Sequence, residues 1–239
     1  IDIKPGDEVL VPSFTFVATA NSVKSVGAKP IFVDILKDNY TMDPEDLKKK
    51  ITRRTKAIIP VHLYGHMAYM YEILEIAKKK NIKIIEDASQ SLGSKLKGKH
   101  SGTFSDLGCF SLYGGKIITS GEGGAIVTDD KKLFEKLKQV RNHGLTKNNL
   151  ITTLGLNLRL SELSASIAKI QMKKLPRLLS QRKKNAQILT DLLKNEDVIL
   201  PEQRKNEIVN WYLYTIAIKN RDKALKKLNA FGIGAMIYY

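Results

Sequence analysis

The sequence contains a single cysteine, Cys109, among its 239 residues. One thiol cannot close a disulfide within the chain, and it provides no cysteine cluster for a structural zinc ion. No apolar run approaches the roughly 18 residues that cross a bilayer, so we expect no transmembrane helix. The chain begins IDIKPGDEV, with neither an initiator Met nor a basic-then-apolar signal region. These absences favour a cytoplasmic protein, and the missing Met suggests that the chain is part of a longer one.

Two common phosphate-binding motifs are also missing. There is no G-x-x-x-x-G-K-[ST] segment, and no predicted strand is followed by G-x-G-x-x-G, so neither a P-loop nor a Rossmann nucleotide site is supported. His62 and His66 are four residues apart, but the segment between them contains Gly65 and lacks the Glu of a zinc-protease helix. We therefore expect no metal site.

Acidic residues are few relative to basic ones, with 24 Asp and Glu against 40 Lys and Arg and a net charge of +16. An excess of this size can indicate nucleic-acid binding. The basic groups, however, are short and spread along the chain, as at residues 48–50 and 78–80, and apolar residues at helical spacing flank them. Solvated helix faces explain this pattern better, since no stacking-aromatic motif accompanies it. We expect the overall field to attract an anionic substrate rather than nucleic acid.

Short β-branched runs alternate with amphipathic stretches through the first two-thirds of the chain. Several runs are apolar at consecutive positions, which is typical of strands covered on both faces. The alternation predicts an α/β fold, with a mostly parallel sheet and helices on both faces. The predicted strands are 8–11, 31–34, 57–62, 83–87, 107–112 and 125–128, and the predicted helices are 15–26, 43–51, 68–80 and 130–141.

The pattern changes near residue 145. Residues 160–195 predict a long helix that Pro176 ends or kinks. Residues 211–218 predict a strand and residues 222–231 a further helix. We therefore predict a large domain over residues 1–197 and the start of a smaller α+β domain over residues 198–239.

Three segments carry polar groups suited to chemistry. An apolar run ends in two acids, the second being Asp87, at the carboxyl end of a predicted parallel strand, where open α/β sheets bind ligands; a capping acid is the alternative. Lys116 lies between two glycines and two isoleucines, where desolvation would lower its pKa and let the neutral amine attack a carbonyl; a surface lysine is the alternative. Asn157 and Arg159 alternate with leucines ahead of a helix, which indicates an anion-binding pair or a solvated lead-in.

Taken together, these segments resemble the sugar aminotransferase family named after its DegT, DnrJ, EryC and StrS members. The resemblance covers nearly the whole chain up to about residue 175 and is looser beyond. Its specificity lies in the combination, because no single segment would suffice. The matching stretches, in family order, are PGDEVLVPSFTFVATANSV, GAKPIFVDI, TKAIIPVHLYGH, IIEDASQSLGS, GTFSDLGCFSLYGGKIITSGEGGAIVT, RNHG and GLNLRLSELSASIAKIQMKKL.

The resemblance implies the aspartate-aminotransferase-like fold, called fold type I, in a homodimer with active sites at the subunit interface. It implies that Lys116 binds pyridoxal 5'-phosphate (PLP) covalently. It also implies that Asp87 pairs with the ring nitrogen of PLP, which makes the ring an electron sink, and that Gln90 contacts the ring hydroxyl. Family members have a further Thr-containing stretch ahead of the first residue here, which binds the phosphate of the cofactor.

Five more positions acquire expected roles from the same resemblance. Phe16 is expected to stack on the cofactor ring and Ser111 to bind the phosphate. Asn157 is expected to reach the phosphate of the neighbouring subunit's cofactor. His62 and Arg159 are expected to lie near the substrate.

The implied reaction moves an amino group from an amino acid, glutamate by family habit, to a keto-sugar nucleotide in amino-sugar and cell-surface polysaccharide biosynthesis. The segment GGKIIT most resembles the corresponding segment of perosamine-synthase-like members. Lys116 argues against the dehydrating branch of the family, in which histidine replaces this lysine. Two rival hypotheses remain: a PLP-binding regulatory or inactive homologue that binds nucleic acid, and a lysine-based lyase without a cofactor, which would leave Asp87 and Gln90 unexplained.

Overall fold

A computed structural model of the chain describes all 239 residues. The strands are β1 Glu8–Pro12, β2 Lys29–Val33, β3 Thr55–Ile58, β4 Lys83–Asp87, β5 Lys95–Leu96, β6 Lys99–His100, β7 Leu107–Ser111, β8 Gly124–Val127, β9 Val198–Ile199, β10 Glu207–Ile208 and β11 Ala217–Ile218. The helices are α1 Ala18–Ser25, α2 Pro44–Lys50, α3 Met70–Lys80, α4 Lys131–Arg141, α5 Glu162–Leu193 and α6 Arg221–Ala230, with a 3-10 turn at Leu63–Gly65. None of these helices combines the length and the apolar composition that a bilayer crossing needs.

Six strands form the central sheet in the order β2-β1-β3-β4-β7-β8. All neighbouring pairs are parallel except β7 with β8, which is antiparallel. The predicted α/β fold with a mostly parallel sheet is therefore confirmed. Because strands that lie in the middle of such a sheet are covered on both faces, they can be apolar at consecutive positions, as β1 is at Val9, Leu10 and Val11.

The core has one cluster on each face of this sheet. On one face, Leu10 and Ile58 pack with Met70 and Ile73 of α3, and all four are fully buried. On the other face, Val9 and its neighbours pack against α1. The helices therefore hold the strands between two apolar layers, and the carboxyl ends of the strands are left to carry polar groups.

Helix ends follow the local sequence. Asp43 caps α2 by accepting a 2.8 Å hydrogen bond from the backbone N–H of Glu45, and Pro44 occupies the first helical position. Asn81 ends α3 in the left-handed conformation, with a φ of 52°. Ser161 caps α5 by accepting from the N–H of Ser164 at 3.1 Å.

Two predictions for the second part of the chain need correction. The predicted long helix is present as α5, but it does not end at Pro176 and continues to Leu193, so the predicted end there is wrong and the predicted kink stays a prediction. Burial of the adjacent Leu175 against Leu112 and Ile118 anchors that turn, while proline removes one backbone donor. The strand predicted over 211–218 shrinks to β11, because backbone groups of Trp211 and Tyr212 bond to the side chains of Arg182 and Asn210 rather than to a neighbouring strand.

The residues after 198 are in contact with the large sheet region. β10 pairs antiparallel with β5, and β9 pairs with β11. Glu207 of β10 accepts a 2.5 Å hydrogen bond from the backbone N–H of Met67. The division into domains at residues 197 and 198 stays a prediction, and residues 207–212 in any case form part of the surroundings of the site described next.

Candidate active site

Five of the predicted residues line one cavity of about 190 Å³ at the carboxyl ends of the parallel strands. Neighbouring strands β4 and β7 end there, with Asp87 opposite Cys109 in register. The five predicted residues are Phe16, Asp87, Gln90, Ser111 and Lys116, and the cavity is also lined by Thr15, Ala18, Thr19, Val61, Ser89 and Tyr113. The structure therefore brings five of the eight residues singled out from the sequence to one cavity, and their roles stay predictions.

The carboxylate of Asp87 is fixed by two donors. Oδ2 accepts a 2.9 Å hydrogen bond from the hydroxyl of Thr19, and Oδ1 accepts one of 3.1 Å from the backbone N–H of Ser89. Its backbone continues the sheet, since the N–H of Asp87 donates to the carbonyl of Pro60 at 2.9 Å. One carboxylate oxygen thus caps the turn after β4, and the side chain also lies at the cavity wall.

Lys116 is half-buried in the loop that follows β7. Burial lowers the pKa of its amine, and the negative charge of Asp87 partly opposes that shift. Its Nζ also lies 4.9 Å from the ring centroid of Tyr212. Burial therefore brings the neutral form of the amine closer to physiological pH, while the nearby carboxylate of Asp87 favours the ammonium form.

The loop that carries Lys116 is closed on itself. The backbone N–H of Leu112 donates to the carbonyl of Gly123, and that of Ser120 donates to the carbonyl of Leu112, both at 2.9 Å. Ile118 is 1% exposed and packs with Leu112. These contacts give the glycine-rich segment a fixed course, which a freely mobile hairpin would not have.

Gln90 is 5% exposed, and the orientation of its amide is determined by the backbone. Its Oε1 accepts a 2.8 Å hydrogen bond from the N–H of Tyr64, so its Nε2 must be the donor and lies 2.8 Å from the hydroxyl of Tyr239. Tyr64 itself adopts a left-handed backbone conformation, with a φ of 58°, in the turn after β3. The amide N–H₂ group is thereby presented as a fixed donor beside the cavity.

Phe16 and Ser111 stand at the rim. Phe16 is 55% exposed, and its ring centroid lies 6.0 Å from that of Tyr239. The hydroxyl oxygen of Ser111 accepts from the backbone N–H of Tyr113 at 3.4 Å, which leaves its own proton free to donate. An exposed ring and a free hydroxyl are groups that a bound ligand can still engage.

His62 does not face the cavity. It has no exposed surface, its Nδ1 accepts from the backbone N–H of Ala68 at 3.1 Å, and its Nε2 lies 2.9 Å from Oε2 of Glu86. Since the backbone N–H can only donate, Nδ1 is unprotonated and Nε2 donates to the carboxylate. Both ring nitrogens are used inside the protein, so the expected contact of His62 with substrate is corrected to a structural role.

Asn157 and Arg159 also lie outside the cavity. Both are exposed, and Nη1 of Arg159 donates to the side-chain oxygen of Asn142. The leucines that alternate with them are exposed as well, Leu156 at 60% and Leu158 at 58%. This segment presents polar and apolar side chains to the outside, and its predicted roles in anion and substrate binding stay predictions.

Three residues of the site carried no signal that the sequence analysis used. Thr19 is one turn into α1 and has no motif of its own. Tyr64 lies inside the stretch TKAIIPVHLYGH but acts through its backbone. Tyr212 lies in the aromatic run WYLY, which the sequence predicts to be part of a strand. A cluster of large aromatics next to a predicted domain boundary is the signal that could have identified it.

A larger cavity, of about 700 Å³, adjoins the first one at Thr19, Asp87 and Ser89. Apolar side chains predominate in its lining, among them Val9, Val23 and Ile59. It does not contain Lys116, and the lysine in its lining, Lys136, is paired with Asp2 at 2.8 Å. The chemistry is therefore assigned to the smaller cavity.

A sequence profile described as the DegT/DnrJ/EryC1/StrS aminotransferase family matches residues 1–239. The chain is 40% identical over 240 residues to a UDP-N-acetyl-3-dehydro-alpha-D-glucosamine 3-aminotransferase from Acidithiobacillus ferrooxidans, with 100% of this chain and 65% of that protein covered. It is 37% identical over 225 residues to a GDP-perosamine synthase from Escherichia coli O157:H7, with 93% and 62% covered. The chain thus spans just under two thirds of the length of these curated relatives.

Solved structures give the same picture. Streptomyces venezuelae DesV superposes with a TM-score of 0.96 at 37% identity, covering 99% of this chain and 64% of that one. The PLP-form of Spr1654 from Streptococcus pneumoniae superposes with a TM-score of 0.92 at 27% identity, covering 99% and 68%. The fold type I architecture implied by the sequence is confirmed.

Proposed function

Because the chain belongs to the DegT/DnrJ/EryC1/StrS aminotransferase family, we propose that the protein containing it is a PLP-dependent aminotransferase that moves an amino group onto a nucleotide-linked keto-sugar. The observation that carries the proposal is the shared cavity of Lys116 and Asp87. The half-buried amine has a lowered pKa, and the carboxylate is held by Thr19 and Ser89. This pair suits a cofactor that needs a nucleophilic amine and an anion for its ring nitrogen.

The residues present fit PLP. The cavity admits one substituted aromatic ring, and its polar groups comprise an amine, a carboxylate, an amide donor and a hydroxyl. When bound, PLP supplies an electron sink for the carbon that loses its proton. The carboxylate of Asp87 would hold the positive charge of the ring nitrogen, since two fixed donors leave it no freedom to turn away.

Lys116 is the group that moves protons. A neutral amine is a nucleophile toward a carbonyl carbon, and after release it can accept a proton at Nζ and return it to another carbon. Its partial burial favours the neutral state, while the charge of Asp87 keeps the ammonium form accessible. A general base whose pKa lies nearer the working pH is the more efficient one.

Three further residues orient the cofactor in this proposal. Gln90 presents Nε2 as a donor because Tyr64 fixes its Oε1, and we assign that donor to the ring hydroxyl. Phe16 would stack on the ring from the exposed rim, and Ser111 would donate to the phosphate.

The substrates are assigned by class. The relatives are named for amination of sugars carried on UDP, GDP and dTDP, so a nucleotide sugar is the proposed acceptor and its nucleotide is left open. We propose glutamate as donor, and cytoplasmic amino-sugar synthesis for cell-surface polysaccharide as the setting. The net charge of +16 favours such anionic substrates.

We propose that two subunits share each site. The exposed segment around Asn157 and Arg159 carries apolar side chains, Leu154 being 88% exposed, and neither polar residue reaches the cavity of its own chain. In a homodimer Asn157 would reach the phosphate of the neighbouring subunit's cofactor, and Arg159 would approach the substrate.

The test uses the full-length protein that contains this chain. Purified protein is expected to be yellow, and borohydride reduction followed by peptide mass spectrometry is expected to fix PLP to Lys116. Lys116→Ala should lose this label, whereas Lys37→Ala, at an exposed lysine far along the chain, should keep it. A colourless protein that ignores added PLP would contradict the proposal.

The rival hypothesis is a PLP-binding regulator without turnover. Addition of glutamate to the yellow protein separates the two, because an aminotransferase converts the bound cofactor to its colourless aminated form and a regulator leaves it unchanged. Retention of the colour at saturating glutamate would favour the regulator. A panel of keto-sugar nucleotides then identifies the acceptor.

A further inference from the structure

The segment 210–212 is locked onto the loops that border the cavity. The side-chain amide of Asn210 donates to the carbonyls of Gln90 and Leu92, each at 3.0 Å. Its backbone N–H donates to the hydroxyl of Ser94 at 3.1 Å, and its Oδ1 accepts from the N–H of Tyr212 at 2.9 Å. Asn210 is 2% exposed, and both polar atoms of its side chain are hydrogen-bonded.

Two further contacts hold the next residues. The ring of Trp211 stands edge-on to that of His66, with centroids 5.6 Å apart. Arg182 of α5 donates to the carbonyls of Trp211 at 3.0 Å and Tyr212 at 3.2 Å. The backbone that carries Tyr212 is therefore fixed from both sides, and the ring of Tyr212 is delivered to a defined place.

That place is against Lys116, whose Nζ lies 4.9 Å from the ring centroid of Tyr212. We propose that Tyr212 is a positioning residue for Lys116, whose ring face holds the terminal amine beside the cavity while the amine carries a proton. The proposal rests on the function proposed above, and it adds a residue from the second part of the chain to the proton-transfer machinery.

The ring and the amine suit each other chemically. A cation within about 6 Å of an aromatic face is attracted by the ring quadrupole, and the half-buried position of Lys116 weakens competition from water. The charged or titratable groups near this pair are Asp87 for Lys116, and Arg182, Tyr113 and Tyr238 for Tyr212. Asp87 and the ring both favour the ammonium form, whereas burial favours the neutral amine.

Because burial, the charge of Asp87 and the ring of Tyr212 all act on it, Lys116 can gain or lose a proton while its amine stays beside the cavity. A long flexible side chain without such a contact would swing toward solvent when charged, because an ammonium group is strongly hydrated. The ring thus keeps a protonated Lys116 within reach of the carbon to which it returns the proton.

The first test needs no cofactor. In the full-length apo-protein, the pH dependence of acylation of Lys116 by acetic anhydride, followed by peptide mass spectrometry, reports the pKa of its amine. Tyr212→Phe keeps the ring and should titrate as the unmodified protein does. Tyr212→Leu keeps an apolar side chain but removes the ring face, and should lower the pKa of Lys116 by about 0.5 to 1 unit.

Tyr71→Leu is the matched control. Tyr71 faces Lys97, whose Nζ lies 4.4 Å from its ring centroid, so this variant removes an equivalent contact elsewhere. It should leave the titration of Lys116 unchanged. An unchanged titration of Lys116 in Tyr212→Leu, or a rise in its pKa, would overturn the proposal.

The second test uses the PLP-loaded protein. Tyr212→Leu should still be labelled at Lys116 by borohydride, but its single-turnover rate with glutamate should fall about three- to tenfold, with the pH optimum displaced; Tyr212→Phe should restore the rate. Equal rates and equal pH profiles for all three proteins would refute the role of Tyr212. Failure of the unmodified protein to bind PLP would instead refute the proposed function.

Discussion

The Nε2 of His62 lies 2.9 Å from Oε2 of Glu86, and neither side chain has any exposed surface. The carboxylate also accepts from the backbone N–H groups of Gly102 at 2.8 Å and Phe104 at 2.7 Å, and from the hydroxyl of Ser105 at 2.9 Å. A buried carboxylate is tolerable only when its oxygens are saturated in this way. Glu86 is followed directly by Asp87, so this network also fixes the strand end that carries the proposed partner of the cofactor's ring nitrogen.

Replacement of Glu86 by Gln should destabilise the fold strongly. The amide would direct an N–H₂ group toward the donors at His62 and Gly102, and we expect a loss of about 2–4 kcal/mol in the free energy of unfolding. Urea denaturation followed by circular dichroism measures it. Glu75→Gln is the control, since that side chain is 68% exposed and should change stability by less than about 0.5 kcal/mol. Equal midpoints for the two variants would contradict the importance of the network.

Glu86 should also contribute to loss of stability in acid. Burial raises its pKa, but hydrogen bonds from His62, Ser105 and Gly102 outweigh burial and hold the pKa below the ordinary value of 4.5. A carboxyl with a depressed folded-state pKa stabilises the fold above its unfolded pKa, and this stabilisation is lost as the pH falls through the folded pKa. The unfolding free energy should therefore decline from about pH 5 downward, and less steeply in Glu86→Gln. If the unfolding free energy fell equally steeply with pH in both proteins, other groups would dominate the loss of stability in acid.

Gly65 should not accept a side chain. Its φ is +102°, and a Cβ atom built on it would lie 2.0 Å from Oδ1 of Asn210. We expect Gly65→Ala to cost about 2–4 kcal/mol of unfolding free energy, through backbone strain and displacement of Asn210. Gly98→Ala, at a φ of +81° with nothing within 4 Å, isolates the backbone part and should cost about 1 kcal/mol. The claim fails if thermal denaturation gives the two variants the same stability.

Thr19 should contribute to cofactor affinity through Asp87. Thr19→Val keeps the shape but removes the hydroxyl that donates to Oδ2, and we expect PLP to bind about fivefold more weakly. Thr19→Ser retains the hydroxyl and should bind within twofold of the original protein. Equilibrium titration of apo-protein with PLP, followed by absorbance, gives both values. Unchanged PLP affinity in the valine variant would show that the hydroxyl of Thr19 does not contribute to cofactor binding.

Much of the fold could be predicted from the sequence, because the spacing of apolar residues indicates which positions are buried. Consecutive apolar positions identified the parallel strands, and Asp43 with Pro44 marked the start of α2 correctly. Pro176 does not end the helix, because the usual rule for proline counts one lost donor and not the packing of the adjacent Leu175. The 211–218 segment was misassigned because its aromatic side chains are placed by tertiary contacts rather than by a ladder.

The candidate site shows the same difference between residues that local sequence identifies and residues that tertiary contacts place. Residues whose type is dictated by chemistry, such as Lys116 and Asp87, stood out from their surroundings. His62 belonged to the same matching segments yet is internal, because a sequence does not say which side of a turn a ring occupies. Tyr212 is more than ninety positions from Lys116 and meets it only through the anchoring of Asn210, which no local pattern encodes.

The connection between β4 and β7, residues 88–106, tolerates little change in its length. Gly102 crosses so close to β7 that a Cβ on Gly108 would lie 1.9 Å from its carbonyl oxygen. In this register the backbone N–H groups of Gly102, Phe104 and Ser105 all donate to the buried carboxylate of Glu86. Surface loops usually absorb inserted residues at little cost. This one cannot gain or lose a single residue on its return path to Ser105 without stranding that charge in the interior, so its length is set by electrostatics.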